Sequence, residues 1–479
     1  MKETRRQFRA IKGTRDILPP ATDLWNWFEK TARSVMESYN FAEIRLPVFE
    51  ETELFARSIG ADTDVVSKEM YTFMNLPDLS EPGEADKLMS FVSLLAKKGQ
   101  TSEGSQSFSA PERLRESWES LRYSITLRPE ATASVVRAYI EHGMQMLPGD
   151  AKLYYIGPMF RRERPQKGRY RQFYQIGAEI LGTSDAPAID AELIQMLTDL
   201  LGRCQIEKYT LLINSIGCLN CRPQYVEKLR AELRKPEIFS RLGADSQRRV
   251  ETNPLRVMDS KLPEEQPIIE KLPKISEHLC EECRTHYEKL KLELTLREVA
   301  FTESPRLVRG LDYYMRTTFE ITSPILGAQN ALCGGGRYDG LVEMLGGPKG
   351  IKGIGFALGE DRFIDAIEEA KKIHATRPVD VFVAWMGARA YPTAVRLAHV
   401  LRVEKHRVEL PAEEKKFRKA LERADKLGAR YVLIIGEDEI ASDMLTIKRL
   451  ADGVQEKISE EALVDFFRPP VPTKEGPGS

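Results

Sequence analysis

Apolar residues recur along the chain with two different periods. Between residues 24 and 39 they are spaced by three and four positions, which predicts one buried face of a helix. Residues 44–49 then predict a strand, and Pro47 favours a position at the edge or boundary of a sheet. An apolar helix that leads into an edge strand suits a dimer surface, but packing into the protein's own core explains the same pattern equally well.

The same patterns divide the chain into segments of different character. Residues 1–210 mix helices with apolar strands, residues 211–299 are rich in helix, and residues 300–370 return to strands and glycine-rich turns. Residues 379–467 contain near-continuous apolar strands with helices between them, which is typical of a small domain with a parallel or mixed sheet. We therefore predict an α+β core in two parts, a helical domain inserted between them, and a C-terminal α/β domain.

Composition narrows the class of protein. The 479 residues carry 71 Lys and Arg against 72 Asp and Glu, so bulk positive charge cannot coat nucleic acid, although a local basic surface remains possible. No run approaches the ~20 apolar residues of a membrane span, the amino end lacks the apolar stretch of a secretory signal, and six cysteines are too sparse for a disulfide scaffold. We predict a cytoplasmic protein without a membrane segment, with a flexible polar insertion at about 80–122 and a disordered tail at 468–479.

Positive charge is densest between residues 161 and 171, where five arginines and one lysine fall between two apolar strands. Pro165 and Gly168 mark a turn, so we predict a strand–loop–strand hairpin. Alternation along a strand would send Arg161 and Glu163 to one face. A guanidinium group can donate two parallel hydrogen bonds to phosphate oxygens, and a neighbouring carboxylate can accept a hydrogen bond from an amino group. A solvated basic loop is the simpler alternative when charges alone are considered.

Two further clusters combine charge with aromatic rings or hydroxyls. Glu130 and Thr132 follow a strand-ending proline, where they could hold an ammonium group or simply begin a helix. Arg309 is predicted to lie in an apolar strand, where an unpaired charge is costly, so it should meet a ligand or a carboxylate. The adjacent Tyr313 and Tyr314 could enclose a ring.

Glycine-rich segments make up the remaining candidate chemistry. Residues 333–340 contain three consecutive glycines that let the backbone approach a ligand, and Tyr338 supplies a hydroxyl. Residues 353–362 predict a glycine-rich strand that runs into a helix with Arg362 near its start, where it can neutralise a terminal phosphate. The chain has no Gly-Lys dipeptide and therefore no P-loop, so a nucleotide would be held by other means.

Taken in this order, these segments resemble the histidyl-tRNA synthetases, which are class II aminoacyl-tRNA synthetases. Residues 11–19 and 69–73 share the resemblance, which covers nearly the whole chain apart from residues 80–122 and the tail. It implies an antiparallel catalytic sheet flanked by helices, an anticodon-binding domain at 379–467, and a homodimer built partly on residues 24–50. The implied reaction joins L-histidine to ATP, with Mg²⁺, and then transfers histidine to the 3′ end of tRNA(His).

The resemblance also assigns roles to residues. Those implied to hold ATP are Arg161, Glu163, Arg169 and, at its distal phosphates, Arg362. Those implied to bind histidine are Glu130, Thr132 and Gln175 at the amino group, Tyr313, Tyr314 and Tyr338 at the imidazole, and the catalytic Arg309 at the carboxylate and the α-phosphate. We therefore expect Arg161, Arg309 and Arg362 to share one cavity. The alternative is a non-catalytic relative that serves as regulatory subunit of ATP phosphoribosyltransferase, but that alternative predicts loss of these arginines.

Two sets of residues leave their alternatives open. Cys218, Cys221, Cys280 and Cys283 form two CxxC pairs, which predict either a structural zinc site or free thiols. Six basic residues are predicted on one helix of the C-terminal domain, where they either touch tRNA phosphates or form a solvated face: Lys415, Lys416, Arg418, Lys419, Arg423 and Lys426.

Overall fold

The computed structural model describes residues 8–60, 63–74, 124–163, 168–327, 330–370, 373 and 378–468. The chain forms two units, residues 1–374 and residues 375–479. The predicted insertion at 80–122 and nearly all of the predicted tail lie outside the described residues. Within the described part of the chain, no helix combines the length and the apolar character needed to cross a bilayer.

The first unit is built on an eight-stranded sheet in the order β1-β5-β6-β11-β10-β9-β7-β8. All neighbours are antiparallel except β1 with β5 and β7 with β8. The strands are β1 (Ala42–Glu43), β5 (Ala151–Phe160), β6 (Gln172–Gly182), β7 (Thr210–Ser215), β8 (Thr302–Glu303), β9 (Met315–Thr322), β10 (Ala331–Arg337) and β11 (Lys352–Gly359). Helices pack on this largely antiparallel sheet, which confirms the predicted α+β class.

A smaller sheet, eleven α-helices and six short 3₁₀ or π helices complete the described part of the first unit. The small sheet has the order β2-β4-β3, with β2 (Phe49–Glu51), β3 (Tyr71–Met74) and β4 (Ser124–Leu127). The helices are α1 (Ala21–Ser38), α2 (Thr52–Ile59), α3 (Thr132–Glu141), α4 (Pro187–Arg203), α5 (Arg222–Leu233), α6 (Pro236–Phe239), α7 (Ala244–Thr252), α8 (Gln266–Ile269), α9 (Glu281–Leu296), α10 (Leu341–Met344) and α11 (Glu360–Ala370). The helical region predicted from residue 211 begins only after β7, which belongs to the main sheet.

Helix α1 buries its apolar face in the core of the first unit. Phe28 stacks on Phe363 of α11 with ring centroids 5.3 Å apart. The strand predicted over residues 44–49 is wrong, because only Phe49 lies in a strand. The Arg128 guanidinium donates hydrogen bonds to the carbonyl oxygens of Leu46 and Pro47 (2.9 and 3.1 Å). These carbonyls are therefore paired with a side chain and not with the backbone N–H groups of a neighbouring strand.

The predicted hairpin is confirmed, whereas the predicted strand around Arg309 is wrong. Strands β5 and β6 pair in antiparallel register from Ala151 opposite Leu181 to Phe160 opposite Gln172. Residues 304–314 form no strand. The Asn214 side chain donates instead to the carbonyls of Pro305 and Leu307 (3.3 and 2.9 Å), which holds this segment in an irregular path.

The second unit contains a five-stranded mixed sheet in the order β13-β12-β14-β15-β16. Strand β12 is parallel to β13 and β14, and the remaining pairs are antiparallel, which confirms the predicted α/β domain. The elements are β12 (Val381–Trp385), α12 (Ala390–Val403), β13 (Val408–Glu409), α13 (Phe417–Lys426), β14 (Tyr431–Ile435), α14 (Glu437–Ser442), β15 (Met444–Arg449), β16 (Gln455–Ser459) and α15 (Leu463–Phe467). The basic helix is shorter than predicted, because α13 begins at Phe417 and leaves Lys415 and Lys416 outside it.

Candidate active site and cysteine cluster

An open cavity of about 270 Å³ lies in the first unit, over strands β6, β10 and β11. The loop that joins β5 to β6 and the irregular segment before β9 complete its wall. Eight charged residues line it: Glu130, Arg161, Glu163, Arg169, Arg309, Glu320, Asp361 and Arg362. Arg161, Arg309 and Arg362 therefore share one cavity, as expected from the sequence, although they are distant along the chain.

The charged end of the cavity consists of Arg161, Glu163, Arg169 and Arg362. Glu163 lies 3.2 Å from Arg169 and 4.0 Å from Arg161. Strand alternation does not cause this contact, because β5 ends at Phe160 and the loop itself brings the side chains together. Arg161 is fixed by a hydrogen bond from its Nε to the carbonyl of Pro129 (2.9 Å).

Arg362 reaches the cavity from the start of α11. The glycine-rich β11 leads directly into this helix, as predicted, and the Arg362 Nη1 donates to the carbonyl of Ala331 (2.7 Å). Burial lowers the pKa of Arg362, and nearby Arg169 lowers it further. A cation held among other cations in a partly buried wall is suited to an anionic ligand such as a phosphate chain.

Arg309 pairs with a carboxylate, as predicted from the cost of burying a lone charge. Its Nη1 lies 2.9 Å from Glu320 on β9, and its guanidinium lies 5.7 Å from the Tyr314 ring centroid. Burial alone would lower the pKa of Arg309, but Tyr314 and Glu320 outweigh it and raise the pKa. A side chain at position 334 would overlap this guanidinium, so Gly334 makes room for Arg309 rather than only for a ligand.

A buried polar network of Thr132, Glu179 and Tyr338 lies next to the cavity, and we call it the buried end. The Thr132 hydroxyl donates to one carboxyl oxygen of Glu179 (2.7 Å), and the Tyr338 hydroxyl donates to the other (2.6 Å). All three side chains are buried and lie behind the cavity wall, not in its open lining. Burial raises the pKa of Glu179 to about 8, despite these two hydrogen bonds.

Glu179 did not appear among the residues predicted from the sequence. It lies four positions after Gln175 on β6, so the two side chains share one face of the strand. It is also a lone charge within an apolar run, which was an available signal of a functional position. Gly355 on the paired β11 leaves the space that the Glu179 carboxyl occupies.

Glu130 and Gln175 provide acceptors next to the buried end. The Glu130 carboxylate accepts hydrogen bonds from the backbone N–H groups of Thr132 and Ala133 (2.7 and 3.0 Å), so it also satisfies the first turn of α3. Burial raises the pKa of Glu130. Gln175 lines the cavity, and its side-chain oxygen is buried without a hydrogen-bond partner among the described residues. An unpaired buried acceptor in a cavity wall is suited to a donor on a ligand.

Three tyrosines form an aromatic wall. The rings of Tyr313 and Tyr314 contact each other with centroids 4.6 Å apart, and Tyr313 meets Tyr338 edge-on at 5.8 Å. Tyr313 and Tyr314 line the cavity, whereas Tyr338 stands behind them. Tyr313 and Tyr314 therefore pack on each other instead of standing apart around a ring.

The four predicted cysteines come together in the helical region after β7. Cys218 lies 3.8 Å from Cys221 and 3.8 Å from Cys280, and Cys221 lies 3.9 Å from Cys283, measured between sulfur atoms. A tetrahedral zinc ion with Zn–S bonds of about 2.3 Å holds its sulfurs about 3.8 Å apart. Burial acts to raise the pKa of Cys218, but hydrogen bonds from backbone N–H groups and from neighbouring thiols lower it to about 7.

Two family models match this chain, one within each unit. A family model described as histidyl-tRNA synthetase matches residues 113–362, and one described as an anticodon binding domain matches residues 380–469. The chain is 48% identical over 455 residues to a histidine–tRNA ligase of Solibacter usitatus, covering 95% of this chain and 97% of that protein. It is 47% identical over 464 residues to a histidine–tRNA ligase of Koribacter versatilis, covering 96% of each.

A solved structure is similar over the same length. The crystal structure of apo S. aureus histidyl-tRNA synthetase superposes with a TM-score of 0.73 at 33% sequence identity. The match covers 96% of this chain and 100% of that one, so both units have counterparts in a single protein.

Proposed function

The chain belongs to the histidyl-tRNA synthetase family, and we propose that it is a histidine–tRNA ligase that uses ATP and forms AMP. In the first step a carboxylate oxygen of L-histidine attacks the α-phosphorus of ATP, and the bond to pyrophosphate breaks. In the second step a hydroxyl of the terminal ribose of tRNA(His) attacks the histidyl carbonyl, and AMP leaves.

The charged end is proposed to bind ATP. Arg161 and Arg169 would hold the nucleotide with Glu163, and Arg362 its distal phosphates. The first step brings two anions together, and fixed cations offset their repulsion without having to reorganise. Arg309 would contact both the histidine carboxylate and the α-phosphate, so it acts where negative charge develops. The observation that carries this proposal is the convergence of these arginines on one cavity beside the buried polar network.

The buried end and the residues next to it are proposed to bind histidine. Gln175 and Glu130, with Thr132, would accept hydrogen bonds from the α-ammonium group. Tyr314 would face the imidazole, and Glu179 and Tyr338, directly behind the cavity wall, would supply the polar network that the ring nitrogens need. A competing amino acid without ring nitrogens would leave those buried groups unpaired, which disfavours it strongly.

Magnesium and zinc are proposed as the metals. Mg²⁺ prefers oxygen ligands and commonly uses one or two carboxylates together with substrate phosphates, and Glu163 and Glu320 are carboxylates of the cavity lining. It would neutralise phosphate charge when bound. The sulfur–sulfur distances and burial of the cysteine cluster are suited to one structural zinc, which would join the two CxxC segments of an inserted domain at 211–299.

Two macromolecular partners complete the proposal. The second unit would bind the anticodon arm of tRNA(His), with the basic residues on and just before α13 near phosphates. A homodimer is supported by apolar side chains that the first unit leaves exposed near residues 24–50: Val48 is 38% exposed and Phe49 is 57% exposed. The six cysteines, all within the described residues, form no disulfide, which supports a reducing, cytoplasmic location.

The regulatory-subunit alternative is not favoured. A non-catalytic relative has no need for arginines that meet at one cavity, and this chain keeps them together with a second unit of the anticodon-binding type. Exchange of labelled pyrophosphate into ATP separates the two. We expect exchange that requires histidine and that phenylalanine does not support, followed by charging of a tRNA(His) transcript. A folded protein that binds histidine without any exchange would overturn the ligase.

The zinc proposal has its own test. Elemental analysis of protein washed with a chelator should find one zinc per chain. The double variant Cys280→Ser/Cys283→Ser should lose it, whereas Cys204→Ala, which alters a buried thiol outside the cluster, should keep it. A zinc-free wild type would contradict the assignment.

A further inference from the structure

The segment of residues 11–15 lies against the arginine-bearing hairpin without lining the cavity. The backbone N–H of Arg171 donates to the carbonyl of Gly13 (2.7 Å), and the Arg171 side chain donates to the carbonyl of Lys12 (3.2 Å). The segment turns tightly at this point, since Thr14 N–H donates to the Ile11 carbonyl and Gly13 has a φ of 92°. These contacts fix where the next side chain, Arg15, can reach.

The Arg15 side chain connects the two elements that carry the cavity arginines. Its guanidinium lies over the Tyr170 ring, 4.3 Å from the centroid, and forms an ion pair with Asp361. Tyr170 follows Arg169 on the hairpin loop, and Asp361 precedes Arg362 on α11. Both Tyr170 and Asp361 line the cavity. One residue outside the cavity thus joins the two sides of its charged end.

The charge of Asp361 explains why this connection matters. Asp361 is 7% exposed, and burial raises the pKa of its carboxyl group while Arg15 acts in the opposite direction. An unpaired carboxylate next to Arg362 would repel a phosphate chain. Because Arg15 pairs with Asp361 from outside, the cavity arginines need not neutralise it.

We propose that Arg15 is a positioning residue for ATP, holding the hairpin loop against α11 and cancelling the negative charge of Asp361. The proposal rests on the ligase function proposed above and adds to it a residue that touches no substrate. The Arg15 side chain is 40% exposed, but Asp361 is buried, so Arg15→Ala also leaves a buried carboxylate unpaired. A loss of stability would lower the amount of folded enzyme without raising the KM for one substrate alone.

Steady-state pyrophosphate exchange tests the proposal. In Arg15→Ala we expect the KM for ATP to rise about tenfold, as for loss of a charge-assisted contact, while the KM for histidine stays within about twofold. Arg15→Lys should lie between, because it keeps the charge but not the planar contact with Tyr170. The matched control is Arg9→Ala, an exposed arginine just before this segment, which should behave as the wild type.

A rescue experiment separates positioning from general damage. Asp361→Asn keeps an oxygen for the Tyr174 backbone N–H but removes the charge, so it should restore part of the ATP affinity lost in Arg15→Ala. An unchanged KM for ATP in Arg15→Ala, an equal loss for both substrates, or no rescue would each overturn the proposal. If the wild type shows no exchange, the ligase function fails instead, and that outcome is read before any variant is compared.

Discussion

The two ends of the cavity hold their polar groups in opposite ways. At the buried end, Thr132 and Tyr338 satisfy both oxygens of Glu179, and the whole set is shielded from water. At the charged end, Glu163 meets Arg169 and Arg161 at 3.2 and 4.0 Å in an open wall. The first arrangement is suited to recognising one small uncharged ring, and the second to attracting a flexible polyanion.

This difference has a physical reason. A buried hydrogen-bond network is strong and directional, but it is costly if one partner is missing, so it discriminates between ligands of similar shape. Charges in an open wall act over longer distances and tolerate movement, but water and salt weaken them. We therefore expect substitutions at the two ends to change different kinetic constants.

Arg309→Ala should have the largest effect, because Arg309 is proposed to touch both substrates. We expect histidine-dependent exchange to fall by about a hundredfold to a thousandfold, the usual cost of removing a fixed group that stabilises developing charge. Arg306→Ala is the matched control, since Arg306 pairs with the Gln266 side chain (2.7 Å) away from the cavity. Full exchange by Arg309→Ala would remove the proposed role of this residue.

Glu179→Gln should change histidine binding alone. Above the raised pKa of Glu179, at about pH 9, we expect the KM for histidine to rise about thirtyfold with the KM for ATP unchanged, because an ionised acceptor at the buried end becomes neutral. Since the pKa of Glu179 is raised to about 8, ionisation above that pH should improve histidine binding in the wild type. The variant should show no such change between pH 7 and pH 9.

The outcome that would contradict the comparison is a loss of ATP affinity in Glu179→Gln. Glu192→Gln on α4 serves as control, because Glu192 pairs with Lys152 of β5 and neither residue lines the cavity. A pH dependence that persists in Glu179→Gln would assign the titration to another group.

The charged end could be predicted from the sequence more fully than the buried end. The hairpin and the start of α11 depend on neighbouring residues, so the hairpin and Arg362 could be placed from local pattern, although the alternation predicted for Arg161 and Glu163 did not hold because β5 ends at Phe160. Glu179 and Tyr338 are 159 positions apart, and no local pattern shows that they will meet.

The same reason accounts for the errors in the predicted strands. The strand predicted around Arg309 does not form, because the side chain of Asn214 on β7 donates hydrogen bonds to the backbone carbonyls of Pro305 and Leu307. The strand predicted over residues 44–49 failed in the same way at Arg128. In both places a distant side chain replaced a ladder that the local apolar pattern favours, and apolar pattern alone carries no information about such partners.

Glu360 offers the smallest effect and a direct contrast with Glu179. It precedes Asp361 in the first turn of α11, is fully buried, and neither of its carboxyl oxygens has a hydrogen-bond partner among the described residues. Burial raises the pKa of Glu360 well above its ordinary value, and nearby Glu29 adds to this. The folded protein therefore keeps a proton that the unfolded chain releases, so stability falls as pH rises from the ordinary pKa of Glu towards the raised one.

Glu360→Leu should remove this loss. We expect the variant to be more stable than the wild type by about 1–2 kcal/mol near pH 8, with the gain shrinking as the pH falls to about one unit below the ordinary pKa of Glu, where both folded and unfolded chains hold the proton. Urea unfolding at a series of pH values measures the difference, and Glu368→Leu, an exposed position on the same helix, is the control that should leave the pH dependence unchanged. A gain that is equal at every pH would show that Leu packs better than Glu and that Glu360 does not titrate in this range. Glu360 and Glu179 would then differ only in packing.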